Sequence, residues 1–302
     1  MYIGILSRSI QLFSTRALFR AAQARGHRVR VFDYVTCDIL IEKNKPRLMF
    51  GAEDIPDFDA FIPRIGSSYT FQGVSVVRQL ERMGKTAAVS SESILRSRDK
   101  LMCSQYLADE GIGIPNTYYS HEVNDAKYII DIMGGAPVVI KLLEGTHGVG
   151  VVLAENYKTA ETIIETFSQT GQKFVVQEFI KESEGADIRA FVVDGKVVAS
   201  MRRKAKEGEF RSNLHRGARA TPIQMSDEEE ATALKACKIL GLKIAGVDML
   251  QSKRGPLILE VNASPGLEGI TTSTKINVAG HVIDYVEKIH AEKKNLNTKV
   301  IR

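Results

Sequence analysis

Short apolar runs and amphipathic helical patterns alternate along the first third of the chain. The apolar runs have the length of strands, and the patterns between them repeat with the roughly 3.6-residue period of a helix. In chain order, these strands and helices are predicted at Tyr2–Leu6, Thr15–Arg25, Val29–Phe32, Ala60–Ile62, Thr70–Met83 and Thr86–Val89. Their alternation predicts a small parallel α/β domain over residues 1–96.

The pattern changes at residue 97. A helix is predicted to begin near Ser97 and Asp99 and to end at Gly111, because serine and aspartate cap helix N-termini and glycine ends helices. Two helices and two strands follow, at Asp125–Met133, Val138–Lys141, Val151–Leu153 and Thr159–Thr170. This order predicts a small α+β unit over residues 97–173.

Strand patterns dominate the remaining segment, residues 174–302. Strands are predicted at Phe174–Ile180, Ile188–Val193 and Val197–Met201, a helix at Ser226–Leu240, and a hairpin at Ala245–Leu250 and Pro256–Val261. A final helix carries one apolar face, formed by Val278, Val282, Val286 and Ile289. We therefore expect a second α+β unit, and α/β and α+β organisation for the whole chain.

The composition is that of an ordinary globular protein, with 44% hydrophobic and 25% charged residues among 302. A chain of this length exceeds what one core usually supports, so two or three packed units are expected. No stretch approaches the roughly 18 apolar residues of a membrane-spanning helix. The sequence therefore predicts a cytoplasmic protein with no membrane partner.

The predicted hairpin carries the strongest chemical signal. If both arms are strands, Glu260 and Asn262 share one face. The apolar residues of the same arm would share the other face: Leu257, Leu259 and Val261. Asp248 interrupts the opposite apolar arm, where a lone carboxylate is costly unless a partner compensates it. Carboxylate and amide oxygens suit magnesium, so these three polar residues predict a metal site.

Two further segments suit a nucleotide. Lys141 ends an apolar strand just before the glycine loop at residues 144–150, where a lysine and backbone amides can hold phosphates. Gln177–Ile180 closes another strand whose backbone can pair with an adenine edge, although a plain core strand explains it equally well. Gly84, Lys85 and Thr86 resemble the end of a phosphate-binding loop, but that motif requires glycine where Gln79 stands, so a turn is predicted.

Much of the net charge of +5 lies in one basic stretch. Its residues are Arg202, Arg203, Lys204, Lys206, Arg211, Arg216 and Arg219. A solvated loop is one explanation, and a pocket that holds several anions, such as phosphates and substrate carboxylates, is another. Direct nucleic-acid binding is not expected.

The order of these features resembles the ATP-grasp superfamily from about residue 97 to residue 290. Within it, the chain is most similar to the RimK-type ligases, which add glutamate to the C-terminus of small-subunit ribosomal protein S-six. The segments that carry the similarity are Ser97–Lys100, the glycine loop, Arg202–Gly208, Phe210–Gly217 and Leu259–Gly269. The resemblance implies an ATP-grasp fold preceded by a small parallel α/β pre-grasp domain.

The resemblance also implies roles for individual residues. Lys100 and Lys141 would hold ATP phosphates, and Asp187 would hold the ribose. The adenine would be held by Glu178, Phe179, Ile180 and Lys181. The phosphate end would be reached by Arg211, Ser212 and Asn213, and two magnesium or manganese ions would be bound by Asp248, Glu260 and Asn262. His147 of the glycine loop differs from the polar residue often found there in the family, without an assigned role.

In the implied reaction, the acceptor carboxylate attacks the γ-phosphate of ATP, and the amine of L-glutamate then displaces phosphate. Arg203 and Arg211 are the candidates for stabilising the acyl phosphate, with binding of substrate carboxylates as an alternative role. The expected protein acceptor is a ribosomal protein C-terminus, and a small cofactor or peptide is the alternative. A catalytically silent nucleotide-binding module is another interpretation, and the sequence leaves a homo-oligomer open.

Overall fold

The computed structural model describes residues 1–51, 53–123, 125–143 and 150–300. The elements of its N-terminal segment are the strands β1 (Tyr2–Leu6), β2 (Arg28–Phe32), β3 (Cys37–Leu40), β4 (Arg47–Phe50), β5 (Glu53–Asp54), β6 (Ala60–Pro63) and β7 (Thr86–Ala87), and the helices α1 (Phe13–Ala24), α2 (Thr70–Arg82) and α3 (Ser91–Arg98). Four of the strands form a parallel sheet in the order β2-β1-β6-β7. The predicted parallel α/β organisation of this segment is therefore confirmed.

The N-terminal segment also contains a small antiparallel sheet of β3, β4 and β5 that the sequence pattern did not reveal. These strands are short and largely exposed or partly buried, so they lack the buried alternation that identifies a longer strand. The turn predicted at Gly84 is confirmed, because Gly84 has a φ of +77° just beyond α2. Lys85 forms an ion pair with Asp57 on the surface.

The central segment has its own antiparallel sheet. Its elements are α4 (Lys100–Asp109), β8 (Thr117–Tyr118), α5 (Ala126–Ile132), β9 (Val138–Leu142), β10 (Val151–Ala154), α6 (Tyr157–Gln169) and β11 (Phe174–Glu178), and the sheet order is β10-β9-β11-β8. Asp99 caps α4 as expected, since its carboxylate accepts a 2.9 Å hydrogen bond from the Met102 N–H. The predicted boundary at residue 174 places Phe174–Glu178 in the C-terminal unit, but β11 pairs with β9 and therefore belongs to the central sheet.

The C-terminal segment is built on a five-stranded antiparallel sheet. Its elements are β12 (Ala186–Val193), β13 (Lys196–Lys204), β14 (Arg219–Pro222), α7 (Asp227–Ile239), β15 (Ile244–Ser252), β16 (Gly255–Asn262), α8 (Glu268–Thr274) and α9 (Val278–Val300), and the sheet order is β14-β13-β12-β15-β16. The predicted hairpin is the pair β15 and β16. It forms one edge of this sheet, next to β12.

A bulge interrupts this hairpin. Asp248 pairs with Glu260, whereas the next residue of β15 pairs with Ile258, so Leu259 is the additional residue in β16. Since paired residues of an antiparallel ladder share a face, the extra residue shifts the alternation by one. Leu257 therefore shares the face of Asp248 and Glu260, and its predicted placement on the opposite face was wrong.

Two hydrophobic cores hold the described segments together. The larger core combines side chains of the N-terminal segment, of helix α4 and of the C-terminal sheet and helices, from Ile3 to Val286. The smaller core lies between the central sheet and its helices α5 and α6. Hydrogen bonds also join the N-terminal and C-terminal segments, including one of 3.2 Å from the Ile65 N–H to the Ser264 hydroxyl. The central unit, formed by the central sheet with α5 and α6, is thus attached to a larger unit formed by both ends of the chain and α4.

Helix α9 packs the apolar face predicted for it against the larger core, where Val278, Val282 and Val286 are buried. Ile289 is partly buried beside them. Within the described part of the chain, no helix has both the length and the apolar character needed to cross a membrane.

Candidate active site

A cleft lies between the central sheet and the C-terminal sheet, and most of the residues singled out in the sequence line it. These residues are Lys100, Lys141, Glu178, Phe179, Ile180, Asp187, Arg203, Arg211, Ser212, Asn213, Asp248 and Glu260. Lys181 and Asn262 stand outside the lining, in the 3₁₀ turn after β11 and at the end of β16. Residues 144–149 of the predicted glycine loop, including His147, lie outside the described residues.

The central wall of the cleft presents two lysines held by neutral oxygen atoms. The Lys141 ammonium donates to the Gln177 amide oxygen at 2.5 Å. The Lys100 ammonium, in the first turn of α4, donates to the carbonyl oxygens of Leu142 at 2.8 Å and of Leu143 at 3.3 Å. Burial lowers the pKa of Lys141 to about 8 and lowers that of Lys100 as well. These ammonium groups are therefore suited to take up an anion.

The end of β11 forms the adjacent part of this wall. The Glu178 carboxylate accepts a 2.7 Å hydrogen bond from the Asn116 N–H and forms an ion pair with Arg254, so it is fixed by the protein itself. The Ile180 carbonyl accepts from the Ser183 hydroxyl at 2.8 Å. Among the described residues, the Ile180 N–H has no hydrogen-bond partner. This backbone donor at the cleft is what an adenine edge requires.

The C-terminal wall holds a network of two arginines and two aspartates. Arg203 donates to Asp187 at 2.7 and 2.5 Å and contacts Asp248 at 2.9 Å. Arg189 donates to both oxygens of Asp248, with a 2.6 Å bond from Nε. Asp187 and Arg203 are opposite each other in the ladder of β12 and β13, and Asp248 is opposite Arg189 in that of β12 and β15. Sheet register therefore assembles the network.

Within this network, burial opposes ionisation of Asp248, but Arg189 and Arg203 hold its pKa at about 2. The opposite effect is seen at Glu260, whose side chain is half-exposed to the cleft. Loss of solvation within the protein raises the pKa of Glu260, and the charge of the nearby Asp248 carboxylate raises it further. The ionised Asp248 carboxylate therefore disfavours the charged form of Glu260 beside it.

Asp248 and Glu260 suit a divalent metal that takes its other ligands from water and phosphate, and not a metal held by protein ligands alone. No group of three or more histidine, cysteine, aspartate or glutamate side chains suited to a metal occurs among the described residues. Magnesium, however, commonly uses one or two carboxylates and completes its shell with water and phosphate oxygens. Asn262 donates to Glu260 at 3.0 Å, which leaves the Asn262 amide oxygen beside the same carboxylate. Asp248, Glu260 and Asn262 therefore fit the predicted metal set.

Arg211 enters the cleft from the segment between β13 and β14. Its guanidinium donates to both oxygens of Glu209, at 2.9 and 2.8 Å, and to the Val151 carbonyl at 3.3 Å. The last bond links this segment to the central sheet across the cleft. Ser212 and Asn213 follow directly and line the same space.

Sequence reasoning missed Arg189, the second cation on Asp248. The signal was present, because Arg189 interrupts the apolar run of β12 in the same way that Asp248 interrupts β15. Opposite charges within two otherwise apolar strands of one sheet predict that the charges pair with each other. Gln177, which orients Lys141, gave no comparable signal.

Comparison with known proteins yields two family matches that together cover most of the chain. Residues 97–286 match the RimK-like ATP-grasp domain, and residues 1–94 match the RimK PreATP-grasp domain. A "Probable alpha-L-glutamate ligase" of Aliivibrio fischeri is 53% identical over 97% of this chain and 98% of its own length. A protein of the same name from Aeromonas salmonicida is 52% identical over 98% of this chain and 99% of its own length.

Solved structures share the fold at much lower identity. The ATP-grasp ligase PsnB complexed with a minimal precursor aligns with a TM-score of 0.74 at 19% identity, covering 95% of this chain and 98% of that one. D-alanine–D-alanine ligase from Bacillus anthracis aligns with a TM-score of 0.68 at 18% identity, covering 97% of this chain and 99% of that one. These alignments confirm the predicted ATP-grasp fold with its pre-grasp domain.

Proposed function

The chain belongs to the RimK-like ATP-grasp family and is an ATP-dependent, ADP-forming ligase, and from this premise we propose that it joins L-glutamate to a carboxylate acceptor. The observation that carries the proposal is the cleft itself, where two desolvated lysines face a pair of crowded carboxylates. The relatives named as α-L-glutamate ligases support the choice of amino acid.

In this proposal the nucleotide lies along the central wall. Lys100 and Lys141 neutralise its phosphates, because the hydrogen-bond partners of both ammonium groups within the described residues are neutral oxygens. The adenine lies against the segment from Glu178 to Lys181, and Asp187 is the proposed ribose partner. Ser212 and Asn213 approach the phosphate end. We further propose that the chain is divided into a pre-grasp domain, a central subdomain that ends at Glu178, and a C-terminal subdomain. The nucleotide would lie between the last two.

Two magnesium or manganese ions would be held by Asp248, Glu260 and Asn262, together with phosphate oxygens. When bound, such ions neutralise phosphate charge and orient the γ-phosphate for attack. The close approach of Asp248 and Glu260 supports this assignment, since a cation between them relieves their repulsion. Arg189 and Arg203 keep Asp248 ionised and oriented toward that position.

The reaction proceeds in two balanced steps. An oxygen of the acceptor carboxylate attacks the γ-phosphorus of ATP, the bond to the bridging oxygen of ADP breaks, and an acyl phosphate forms. The glutamate amine then attacks the acyl carbon, loses a proton, and displaces inorganic phosphate as the amide bond forms. Positioning and charge neutralisation supply most of the catalysis in such phosphoryl transfer.

Arg203 and Arg211 remain our candidates for stabilising the negative charge that develops during these steps. Both are already held by acidic side chains, so a ligand would have to share each guanidinium with them. A guanidinium has five N–H donors, and the bonds described for Arg203 use only its Nε and one terminal nitrogen.

For the acceptor, we propose the C-terminus of small-subunit ribosomal protein S-six, on the basis of the family resemblance. A peptide or small cofactor with a free carboxylate is the second candidate. The C-terminal carboxylate of a protein supplies the nucleophile that the first step needs. The carboxylate chemistry is common to both acceptors.

Mass spectrometry of reaction products tests the proposal. The protein is incubated with ATP, magnesium and either glutamate or glutamine, with and without the ribosomal protein or a short acidic peptide. We expect ADP, phosphate and an acceptor heavier by one or more glutamate residues, and little product with glutamine. Equal use of glutamine would remove the glutamate assignment, and AMP as the stoichiometric product would remove the acyl-phosphate chemistry.

A further inference from the structure

Two arginines beside the cleft differ from those within it in what neutralises their charge. Arg203 and Arg211 are each bound by carboxylates of the protein. Arg64 and Arg98 have no carboxylate within 4.0 Å among the described residues. Arg64 directly follows β6, and Arg98 ends α3. The chain thus contains two cations near the site whose charge is not balanced by a contacting acid.

The two guanidinium groups bind two segments that contact each other, because the Ile65 N–H after β6 donates to the Ser264 hydroxyl after β16. Arg98 donates to the Ile65 carbonyl at 2.9 Å and to the Thr70 hydroxyl at 3.2 Å. Arg64 donates to the Pro265 carbonyl at 2.7 Å. Pro265 lies five residues after Glu260, in the segment that leaves β16. Both cations therefore lie where the carboxyl edge of the parallel sheet meets the end of the metal-binding hairpin.

Their surroundings are poorly suited to an unbalanced positive charge. Burial lowers the pKa of Arg64 to about 10 and also lowers that of Arg98. The carboxylate that opposes this effect at Arg98 is Glu260, through its longer-range charge. Both side chains remain partly exposed, and most of their N–H donors have no protein acceptor among the described residues. An incoming anion would gain charge-assisted hydrogen bonds at little cost in ordering.

We propose that Arg64 and Arg98 form a carboxylate-binding subsite for a substrate of the ligation. This inference rests on the proposed function, in which both substrates carry carboxylates in addition to the groups that react. Planar guanidinium groups match a carboxylate in a bidentate manner. The carboxylate comes either from L-glutamate or from the acceptor terminus, because both must reach the cleft beside Glu260. The nucleotide phosphates face Lys100 and Lys141 and do not need this subsite.

Isothermal titration of three variants tests the subsite directly. Arg64→Gln and Arg98→Gln each remove one charge, and Arg96→Gln is the matched control. Arg96 lies on the same helix as Arg98 but pairs with the exposed Glu92 at 3.0 Å. The full-length protein is first loaded with magnesium and a non-hydrolysable ATP analogue. The probes are L-glutamate and an acidic peptide with either a free or an amidated C-terminus.

We expect Arg64→Gln and Arg98→Gln to weaken binding of one probe by about 10-fold or more, since each removes a charge-assisted contact. Arg96→Gln should leave that affinity unchanged. Binding of the ATP analogue should change less than about twofold in all three variants. Selective loss with glutamate identifies the amino acid as the source of the carboxylate. Selective loss with the free-terminus peptide, against its amidated form, identifies the acceptor.

Wild-type affinity for both probes in the two variants would overturn the subsite. So would an equal loss of affinity for the ATP analogue, because the arginines would then serve only to hold the segments together. Arg98→Lys, which keeps the charge but loses the planar fork, should recover part of the affinity. Another outcome is a wild type that binds the free-terminus peptide but not glutamate, with binding of that peptide lost in the two variants. In that case the subsite stands and the glutamate proposal fails. A wild type that binds none of these carboxylates would contradict both.

Discussion

The two walls of the cleft treat their charged side chains in opposite ways. On the central wall, Lys100 and Lys141 have neutral oxygen partners, and burial lowers both pKa values. On the C-terminal wall, Arg203 is bound by two aspartates of the protein. Within the described part of the chain, these two lysines have no carboxylate within 4.0 Å and are suited to an arriving anion, whereas Arg203 is already paired with acids of the folded chain.

This difference separates residues that serve mainly the ligand from residues that also serve the fold. Removing a cation from the central wall relieves an unfavourable charge and should cost ligand binding. Removing a member of the C-terminal network leaves a buried charge without its partner and should cost stability as well. Glu260 is the exception on the C-terminal wall, because its own environment disfavours its charge.

The largest effect is expected at Glu260. Glu260→Gln keeps the volume of the side chain but removes one charged metal ligand, so we expect ligation to fall by roughly 1,000-fold or more. The unfolding transition should not move to lower temperature, since the lost carboxylate is disfavoured in the ligand-free fold. Activity is measured by ADP release, and folding by circular dichroism. Turnover at the wild-type rate in a folded variant would show that Glu260 holds no metal.

The next effect tests the balanced wall through stability. Arg203→Ala leaves Asp187 and Asp248 buried without their shared guanidinium, so we expect the free energy of unfolding to fall by about 3 kcal/mol. Arg211→Ala is the control, because Arg211 pairs with Glu209 at a more exposed position. It should cost less than about 1 kcal/mol. Equal losses in denaturant titrations would contradict the distinction between the two arginines.

A smaller effect is expected on the central wall. Lys141→Ala should reduce kcat/KM for ATP by about 100-fold without loss of stability, because it removes a phosphate contact from a desolvated site. Lys85→Ala is the matched control, since Lys85 pairs with Asp57 on the surface and belongs to a turn. Steady-state kinetics on both variants decide the point. Similar losses would mean that the phosphates bind elsewhere.

The smallest effect is a pH dependence of ATP binding. The pKa of Lys141 lies near 8 in the ligand-free protein, below that of an ordinary lysine, so its charge is present below that pH and is lost as the pH rises through it. Affinity for ATP should therefore fall about tenfold between roughly pH 7 and pH 9. Lys141→Arg keeps its charge and should flatten this profile. A flat wild-type profile in calorimetric titrations would contradict the assignment.

Local patterns predicted most of the regular elements because burial repeats with the period of each element. They also located Asp248 through the cost of a charge in an apolar strand. Local patterns do not show which neighbouring strand a given strand will pair with. Nothing in Phe174–Glu178 itself shows whether it joins the central sheet or the C-terminal sheet, since either would bury the same side chains.

Register was the second obstacle. A bulge shifts the ladder of β12 and β13 by one residue, because Val192 pairs with Val197 and Phe191 with Ala199. As a result, Asp187 is opposite Arg203 and not Arg202. From the sequence alone, Arg203 is one of several cations in a basic stretch. The shift decides which of them becomes a buried partner of Asp187. The bulge at Leu259 similarly decided the face of Leu257.

The separate core of the central unit bears on how the chain opens. Because that unit buries its own apolar side chains, it can undergo local unfolding while the larger core stays intact. The two chain ends share one core and must open together. The nucleotide that we propose between Lys141 and Glu260 would bind only when both units are folded, so it would stabilise the central unit by mass action. Amide hydrogen exchange in α5 and α6 should then slow more on ATP binding than exchange in β1. Bound ATP would thus make the two units unfold together as one cooperative unit.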